Sequence, residues 1–489
     1  MINPNSFVQN NDVKDIDCDY LVVGSGAGGS VASYELSMKK KDVLLIEEGK
    51  FFEINKFKGS FKNSLQAWRN GGFTPVIGSP SFGYGEGMSL GGSTYINGGL
   101  IWRTPKHILE KWNQSQIEGY DYFNLTRHFL KIEKMLNVVT ENNLDKLNES
   151  SKIIHNYCIN NNVKSVYVPR AVKNCSRSNA CITGCPTGAK QSVLQGYIMP
   201  SSNNNLKIVT NIRAEKIYFK DNTAYKLLVK TENNQKYFIK FKTIILAAGP
   251  VQTPVLLKKS LGKNFMTNKM QVHLNLRMHA KFSSKIFASR GTIFTTQVQE
   301  FIKEGTLFMS TNFNYDSFLS SLYFFDNKFI NYFKDNFDSY GSYVLQIKPS
   351  SKVTIFNFFG KPMLFFKLDN CDFSNIKKNI IFFSKLLFDA GAIEVVLPIN
   401  IEKIFRKHTD VILYIESLKV TDLQMLSVHG MSSCQISKDK SSFFNNNGQS
   451  NLIKNLYCVD ASVLPSNIGE SPQGTIMAFS HEIISRLLY

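Results

Sequence analysis

Three glycines early in the sequence, Gly24, Gly26 and Gly29, have the spacing that binds the pyrophosphate of a dinucleotide. Gly24 permits a tight turn, Gly26 lets phosphates approach the backbone, and Gly29 lets a helix pack closely against a strand. The free N–H groups and the positive dipole end of that helix attract phosphate. Glu47 follows at close to the spacing of the acid that binds ribose hydroxyls.

The segments around these glycines are those of a βαβ unit. Residues 20–23 favour a strand, residues 30–40 suit a helix, and residues 43–46 form a second apolar run that ends at Glu47. A glycine-rich turn without a ligand is the alternative for the glycines taken alone. The order strand, glycine turn, helix, strand and acid favours a dinucleotide site.

Three clustered cysteines, Cys175, Cys181 and Cys185, form a second group with possible chemistry, and Pro186 follows them directly. Thiolates at short spacing around tight turns can bind an iron–sulfur cluster, and three of them suit a [3Fe-4S] cluster. Reduced structural thiols, or a zinc ion with a fourth ligand, are the alternatives. The remaining five cysteines are isolated and are expected to pack as small hydrophobic residues.

Composition indicates a large globular protein. With 489 residues, of which 43% are hydrophobic, the chain can build an extensive core in two or more lobes. The net charge of +19 comes from scattered lysines, and no motif that reads nucleic acid is present, so no nucleic-acid partner is expected. Since we find no apolar run of about 18 residues and no apolar segment in the polar N-terminus, we expect no membrane span and a cytoplasmic location.

A second glycine-rich run covers residues 91–99, with the sequence GGSTYINGG. Its glycines let backbone lie against a large flat ligand, and Ser93 and Asn97 can donate or accept hydrogen bonds. Together with the first glycine motif, this run resembles the glucose–methanol–choline (GMC) family of FAD-dependent oxidoreductases. Residues 244–260 and 456–465 are similar to two further motifs of that family, although Leu261 stands where glycine is usual.

The resemblance implies an FAD cofactor, a substrate with a CH–OH group, and hydride transfer to flavin N5. The cysteine segment is similar to that of iron–sulfur-bearing sugar dehydrogenase subunits, whereas long-chain alcohol oxidase relatives are cysteine-rich there without an assumed cluster. Beyond Gly24, Gly26, Gly29 and Glu47, the implied cofactor-binding residues are Gly92, Ser93, Asn97, Gly98, Ala248, Asp460, Ala461, Gln473 and Thr475.

Two residues near the C-terminus match catalytic positions of the family. His429 lies in SVHGMSSC, which resembles the family's His-x-x-Gly-Thr-Cys motif, with Ser432 in place of glycine. Histidine suits the base that takes the hydroxyl proton. At the second position the family has Asn or His, and this chain has Ser471, which can form hydrogen bonds but cannot serve as a base. Proton abstraction therefore falls on His429.

Neighbouring residues have lesser predicted roles. Glu470 is either an assistant or a carboxylate at a helix N-terminus. Pro472 suits the first turn of a helix that runs to Leu488, and the start of that helix would stabilise negative charge at the flavin N1–C2=O edge. His273 and His279 have no partner in the sequence and are predicted to be packing histidines.

The predicted fold class is α/β. A Rossmann-type FAD-binding domain is assembled from residues 15–260 and 421–489, and residues 261–420 form an α+β substrate-binding lobe with an antiparallel sheet. Phenylalanine is very frequent in that lobe, where we expect it to form core.

The predicted function is FAD-dependent oxidation of an alcohol, most plausibly a sugar, a polyol or a related metabolite. With an iron–sulfur cluster the enzyme would be a dehydrogenase that passes electrons to an external acceptor protein. Without the cluster it would be an oxidase that uses oxygen, acting on a less polar alcohol. The alternatives are a FAD-containing lyase and a catalytically weakened flavoprotein, the latter suggested by Ser432 and Ser471.

Overall fold

The computed structural model describes residues 6–8, 16–262, 265, 269–323, 325–358 and 360–489. In chain order its strands are β1 (Asp17–Val23), β2 (Val43–Ile46), β3 (Thr74–Ser79), β4 (Phe82–Tyr84), β5 (Val138–Thr140), β6 (Ser165–Tyr167), β7 (Pro169–Ala171), β8 (Leu206–Val209), β9 (Ile212–Lys220), β10 (Thr223–Thr231), β11 (Lys236–Leu246), β12 (Lys269–Val272), β13 (Leu274–Phe282), β14 (Thr296–Val298), β15 (Thr306–Ser310), β16 (Tyr340–Ile347), β17 (Val353–Phe358), β18 (Lys361–Lys367), β19 (Ala392–Val396), β20 (Leu426–Ser427), β21 (Gly430–Met431) and β22 (Leu456–Cys458).

The helices lie between and around these strands. They are α1 (Ala27–Met38), α2 (Phe61–Ser64), α3 (Lys106–Gln114), α4 (Tyr122–Met135), α5 (Glu149–Asn160), α6 (Met199–Ser201), α7 (Gln252–Leu261), α8 (Tyr315–Ser320), α9 (Asn327–Asp335), α10 (Asn370–Asp389), α11 (His408–Ser417) and α12 (Gln473–Leu488). Within the described ranges, no helix is both long enough and apolar enough to cross a membrane.

The first sheet has the order β8-β2-β1-β11-β10-β9, and β22 also pairs with β11. The pairs of β2 with β8, β1 with β2, β1 with β11 and β11 with β22 are parallel, whereas β10 pairs antiparallel with β11 and with β9. All four residues of β2 are buried and apolar, as expected for a parallel strand that is covered on both faces. Because β1 and β22 come from opposite ends of the chain, the Rossmann-type sheet is assembled from both.

Helices α1 and α12 pack against each other on this sheet. The Ser480 hydroxyl of α12 donates to the Gly28 carbonyl of α1 at 2.8 Å, so the helix near the C-terminus is fixed against the first glycine turn. The predicted helix that begins at Pro472 and runs to Leu488 is present as α12, with Pro472 as its N-cap.

The second sheet has the order β21-β12-β17-β18-β3-β4-β20-β13-β16-β15-β14-β6, with β19 also paired to β13. Its pairs are antiparallel except β18 with β3 and β20 with β4. The predicted fold class, with its antiparallel second lobe, is confirmed. Strands β3, β4 and β6 lie in this sheet although their residues fall inside the range 15–260, and the predicted domain boundaries stay a prediction.

Candidate active site

A cavity of about 780 Å³ lies between the two sheets and brings most of the predicted site residues together. Its volume is in the range of ligand pockets. The predicted residues along its wall are Gly24, Gly26, Glu47, Gly92, Ser93, Asn97, Gly98, Ala248, His429, Asp460, Ala461, Ser471 and Gln473.

Gly29 and Thr475, the other two predicted cofactor residues, lie outside the cavity lining. A Cβ on Gly29 would stand 1.9 Å from the Gly24 carbonyl oxygen, so this glycine permits the close contact of α1 with the preceding turn. The Thr475 hydroxyl lies 2.9 Å from the Thr104 hydroxyl, in a buried contact. Both residues support the wall of the cavity.

In the turn between β1 and α1, Gly26 leaves space for a ligand, whereas Gly28 has no room for a side chain. A Cβ on Gly26 would meet nothing within 4 Å, whereas a Cβ on Gly28 would lie 2.0 Å from the Val459 carbonyl oxygen. Gly26 is also the N-cap of α1 and has no side chain to occupy the first N–H groups. These groups are therefore open to an anion.

The Glu47 carboxylate braces the same turn. Its Oε2 accepts hydrogen bonds from the Ser25 amide at 2.9 Å and the Ser25 hydroxyl at 2.7 Å, and its Oε1 accepts from the Gly49 amide at 2.8 Å. Burial raises the pKa of Glu47. Ser25 Oγ in turn accepts from the Gly91 amide at 2.9 Å, which ties the two glycine-rich loops together. The sequence predicts that Glu47 binds the ribose hydroxyls, and it did not predict these hydrogen bonds to the turn.

Asp460 joins the C-terminal part of the chain to the loop after β11. Its Oδ2 accepts from the Gly249 amide at 2.9 Å and from the Thr253 hydroxyl at 2.6 Å, and its Oδ1 accepts from the Ser462 amide at 2.8 Å. We call the region formed by Gly24, Gly26, Gly92 and Asp460 the glycine end of the cavity.

A buried lysine that sequence reasoning missed, Lys190, holds the second glycine loop in place. Its ammonium donates to the carbonyl oxygens of Thr94 at 3.2 Å, Tyr95 at 2.6 Å and Asn97 at 3.1 Å. Burial lowers the pKa of Lys190 to about 8. The Asn97 amide then donates to Gln473 Oε1 at the start of α12. The only sequence signal was its place four residues after Pro186.

His429 is paired with a second histidine. Its Nδ1 lies 3.0 Å from Nδ1 of His273, and His273 Nε2 contacts Asn467 Oδ1. The Asn467 amide is oriented by its backbone contacts, because its Nδ2 donates to the Val272 carbonyl at 2.8 Å and its Oδ1 accepts from the Gly469 amide at 3.0 Å. The sequence predicts a packing histidine without a partner at His273; the ring is buried, and it has a partner in His429 that the sequence did not reveal.

These contacts assign the tautomers of both rings. Asn467 Oδ1 can only accept, so His273 carries its proton on Nε2 and its Nδ1 is an acceptor. His429 must therefore donate from Nδ1, which leaves its Nε2 with a lone pair. Burial lowers the pKa of His429 to about 4, so the ring is neutral near pH 7. His279, in contrast, contacts the Ser321 hydroxyl at 2.9 Å and packs against Phe318.

Ser471 and the N-terminus of α12 complete this side of the cavity. Pro472 is the N-cap of α12, and a proline side chain carries no group that could cap the first N–H groups. The preceding Glu470 is buried behind the wall, where its Oε1 accepts from the Gln297 and Gln299 amides at 2.9 Å each. Burial raises the pKa of Glu470 to about 8.

The three clustered cysteines make separate contacts. Arg170 Nη2 donates to Cys181 Sγ at 3.3 Å, Cys175 Sγ lies 3.8 Å from the Thr292 hydroxyl, and Cys185 Sγ lies 3.6 Å from the hydroxyl of Thr187. Among the residues for which coordinates are described, no three or more His, Cys, Asp or Glu side chains are grouped so as to hold a metal ion. The predicted iron–sulfur cluster is not supported.

The residues present fit FAD. The space at Gly26 and the open start of α1 suit a pyrophosphate, and the start of α12 lies in the same cavity, where its dipole favours negative charge on a bound ring. A Rossmann-type sheet, a glycine cradle and a neutral histidine in one cavity define a nucleotide-dependent oxidoreductase.

Comparison with known proteins identifies the family. Residues 18–281 and 394–480 match the N-terminal and C-terminal parts of the GMC oxidoreductase family. The chain belongs to this family and is an FAD-dependent oxidoreductase.

Two relatives align with almost the whole chain. An uncharacterised GMC-type oxidoreductase of Sinorhizobium fredii is 24% identical, over 98% of this chain and 96% of its own length. A long-chain-alcohol oxidase of Arabidopsis thaliana is also 24% identical, over 98% of this chain and 68% of its own.

Solved structures share the fold at low sequence identity. Pyridoxine 4-oxidase from Mesorbium loti superposes with a TM-score of 0.74 at 14% identity, covering 96% of this chain and 99% of that one. Formate oxidase from Aspergillus oryzae gives a TM-score of 0.75 at 12% identity, covering 97% of this chain and 100% of that one.

Proposed function

We propose that this protein oxidises the CH–OH group of a small alcohol and that His429 is the catalytic base. The observation that carries this proposal is the chain of contacts from Asn467 through His273 to His429. It leaves a lone pair on His429 Nε2 in a ring that lines the cavity. A base of this kind takes the hydroxyl proton as the C–H bond is broken.

The FAD cofactor, when bound, supplies the acceptor for the hydride. The proton is held by this chain. When Nε2 takes it, His429 becomes a cation that still donates from Nδ1 to His273, so the second ring shares the positive charge. The His273 ring is buried and His429 is half-buried, and this shared hydrogen bond offsets part of the cost of a charge in that position.

Ser471 is proposed to orient the substrate hydroxyl, because its side chain can both donate and accept a hydrogen bond at the cavity wall. The N-terminus of α12 is proposed to stabilise negative charge on the reduced cofactor. The cofactor contacts are proposed to come from the glycine end and from the loop that Lys190 holds.

For the electron acceptor we favour dioxygen. One of the relatives that aligns with most of this chain is named a long-chain-alcohol oxidase, and both structural neighbours are named oxidases. A dehydrogenase that uses an iron–sulfur cluster and an external acceptor protein, acting on a sugar or polyol, is the competing proposal. Iron and acid-labile sulfide in protein purified without oxygen would support it over the oxidase.

The deciding experiment is anaerobic mixing of the flavin-loaded protein with a panel of alcohols while the flavin absorbance is followed. Loss of the oxidised flavin bands, restored by air, is expected for the wild type. His429→Gln should keep its flavin and lose the bleaching. If no alcohol bleaches the wild type, a lyase or a weakened flavoprotein replaces the proposal, and a purified protein without any flavin would contradict it outright.

A further inference from the structure

Arg277 lines the cavity on the side of the second sheet, away from the glycine end. Burial lowers the pKa of its guanidinium to about 10. Within the described part of the chain it forms neither an ion pair nor a side-chain hydrogen bond. Arg277 is half-buried, so this cation lies at the cavity wall without a counter-ion among the described residues and can bind an anion there.

The neighbours of Arg277 in the sheet offer no compensation. It stands opposite Val344 in β16, and Val344 stands opposite Met309 in β15. Two residues earlier, Asn275 is opposite Gln346. All five side chains line the cavity. We call the part formed by Asn275, Arg277, Val344 and Gln346 the strand face.

The strand face is linked to the histidine pair by β13 itself. His273, which directly precedes β13, lies four residues before Arg277, and residues two and four apart point to the same side of a strand. At roughly 3.3 Å per residue, their Cα atoms are about 13 Å apart. The cation therefore stands at some distance from the reacting centre, where the remote end of a substrate would lie.

The acidic side chains among the described lining residues are all engaged elsewhere. Glu48 and Glu86 contact Arg69, at 2.8 Å to its Nη2 and 2.5 Å to its Nε. Glu47 and Asp460 accept the hydrogen bonds described above, at the glycine end. The negative charge of the cavity wall thus lies at one end, and the unpaired positive charge lies at the other.

A second donor in the same cavity is also unused. Asn312 is buried, and its Oδ1 accepts from the Thr311 hydroxyl at 3.0 Å. Its Nδ2 has no hydrogen-bond partner among the described residues. A buried N–H group without a partner costs about 1–3 kcal/mol. Two donor groups without a partner among the described residues, the Arg277 cation in β13 and the Asn312 amide just after β15, therefore line the cavity from the second sheet.

We propose that Arg277 and Asn312 bind a carboxylate at the remote end of the alcohol, so that the substrate is a hydroxy acid. This inference rests on the proposed function for the identity of the reacting group. A guanidinium matches the planar carboxylate with two parallel hydrogen bonds. One cation neutralises one negative charge, which favours a carboxylate over the dianion of a phosphate ester.

The first test compares kcat/KM for four alcohols. They are ω-hydroxyhexanoate, its methyl ester, the six-carbon alcohol with a phosphate ester in place of the carboxylate, and sorbitol. The wild type should prefer the acid over the ester by about 100-fold, because the ester cannot form an ion pair with the guanidinium at the cavity wall. Arg277→Gln should abolish this preference while retaining activity on the ester. Arg277→Lys, which keeps the charge without the planar fork, should retain part of it. Arg290→Gln removes the same charge from an exposed arginine and should change nothing.

The second test does not depend on catalysis. Hexanoate, which has no hydroxyl group to oxidise, should raise the Tm of the flavin-loaded wild type and of Arg290→Gln, but not of Arg277→Gln. Without ligand, Arg277→Gln should be about as stable as the wild type, since no described ion pair or side-chain hydrogen bond is lost. Asn312→Leu should reduce the hexanoate effect by a smaller amount.

The outcomes separate the two proposals. Arg277-dependent binding of hexanoate without oxidation of any alcohol would overturn the proposed function and keep the carboxylate site. Oxidation of ester and acid at equal rates, with no effect of hexanoate, would overturn the carboxylate site and keep the function. Preference for the phosphate ester, preference for sorbitol, or loss of flavin from Arg277→Gln would each overturn the assignment of a carboxylate.

Discussion

The glycine end and the strand face of the cavity satisfy their polar groups in opposite ways. At the glycine end, Glu47 and Asp460 are each held by several hydrogen bonds, and the ligand is offered backbone N–H groups and space. At the strand face, no described residue forms an ion pair or a side-chain hydrogen bond with Arg277. We infer that the glycine end holds the cofactor through every turnover and that the strand face binds a ligand that exchanges.

The largest effect relevant to this comparison is expected from a substitution of His429. His429→Gln should lower kcat by about 1,000-fold, since a positioned general base contributes roughly 10²–10⁴. Flavin content should be unchanged, because the described contacts of His429 do not include the glycine end. Rapid-mixing kinetics of flavin reduction is the measurement. Loss of flavin in this variant would show that the two ends are not independent.

Substitutions at two glycines that lie two residues apart sharpen the description of the glycine end. Gly28→Ala places a methyl group 2.0 Å from the Val459 carbonyl oxygen and should destabilise the fold by about 3 kcal/mol. Gly26→Ala points its methyl group into open space, so the apoprotein should keep its stability and fail to retain flavin. Urea unfolding and flavin content measure both. Normal flavin content in Gly26→Ala would contradict the pyrophosphate cradle.

His273→Leu tests the positioning of the base. It leaves His429 Nδ1 without its acceptor, so the tautomer with a lone pair on Nε2 is no longer enforced. We expect kcat to fall about 30-fold with little change in KM. His273→Gln, whose side-chain oxygen can accept the same hydrogen bond, should recover part of the activity. Equal activity of both variants would reduce His273 to a structural residue.

How much of this was visible in the sequence differs between the two ends. The positions of Gly26 in the turn before α1 and of Glu47 directly after β2 could be predicted from spacing, because local backbone geometry fixes them, whereas their binding of a cofactor stays a prediction. The ligand assigned to Glu47 depended on which donors surround it, which spacing does not reveal. The contact of His273 with His429 joins residues far apart in sequence. Arg277 was selected because no described residue forms an ion pair or a side-chain hydrogen bond with it. Such properties arise from strand register and packing.

The cysteine segment shows the same limit. The spacing of Cys175, Cys181 and Cys185 is compatible with a cluster, but the direction in which each sulfur points depends on the fold around it. Arg170 and Thr292, which come from outside the segment, supply partners to two of them. Spacing alone could not distinguish thiols with such partners from metal ligands.

Acid should weaken both catalysis and the fold through His429. Its pKa of about 4 in the folded protein means that kcat/KM should be flat near neutral pH and fall about tenfold per unit below pH 4. An unfolded histidine titrates near pH 6.5, so between about pH 6.5 and 4 the unfolded chain binds a proton that the folded chain does not. The free energy of unfolding should therefore decrease as the pH is lowered through this window. In urea unfolding, His429→Gln should show a smaller decrease over the same window.

The smallest effect is expected at Ser471. Ser471→Ala should lower kcat/KM about threefold, because one hydrogen bond to a substrate hydroxyl is lost and no base is removed. Ser471→Asn, which introduces a residue found at this position in the family, should change turnover by less than about fivefold. A much larger gain in the steady-state rate would favour the weakened flavoprotein as the natural state of this chain.

The pairing of β11 with β22 has a consequence for biosynthesis. Ile244 pairs with Leu456, and β1 pairs with the same strand from the other side, so the cofactor cradle depends on contacts of very long sequence separation. Contacts of this kind form slowly and only after the distant segment has left the ribosome. A nascent chain that already exposes its glycine motif therefore still lacks β22, which completes the cradle. We expect flavin binding to be a late, post-translational event that marks completion of the fold.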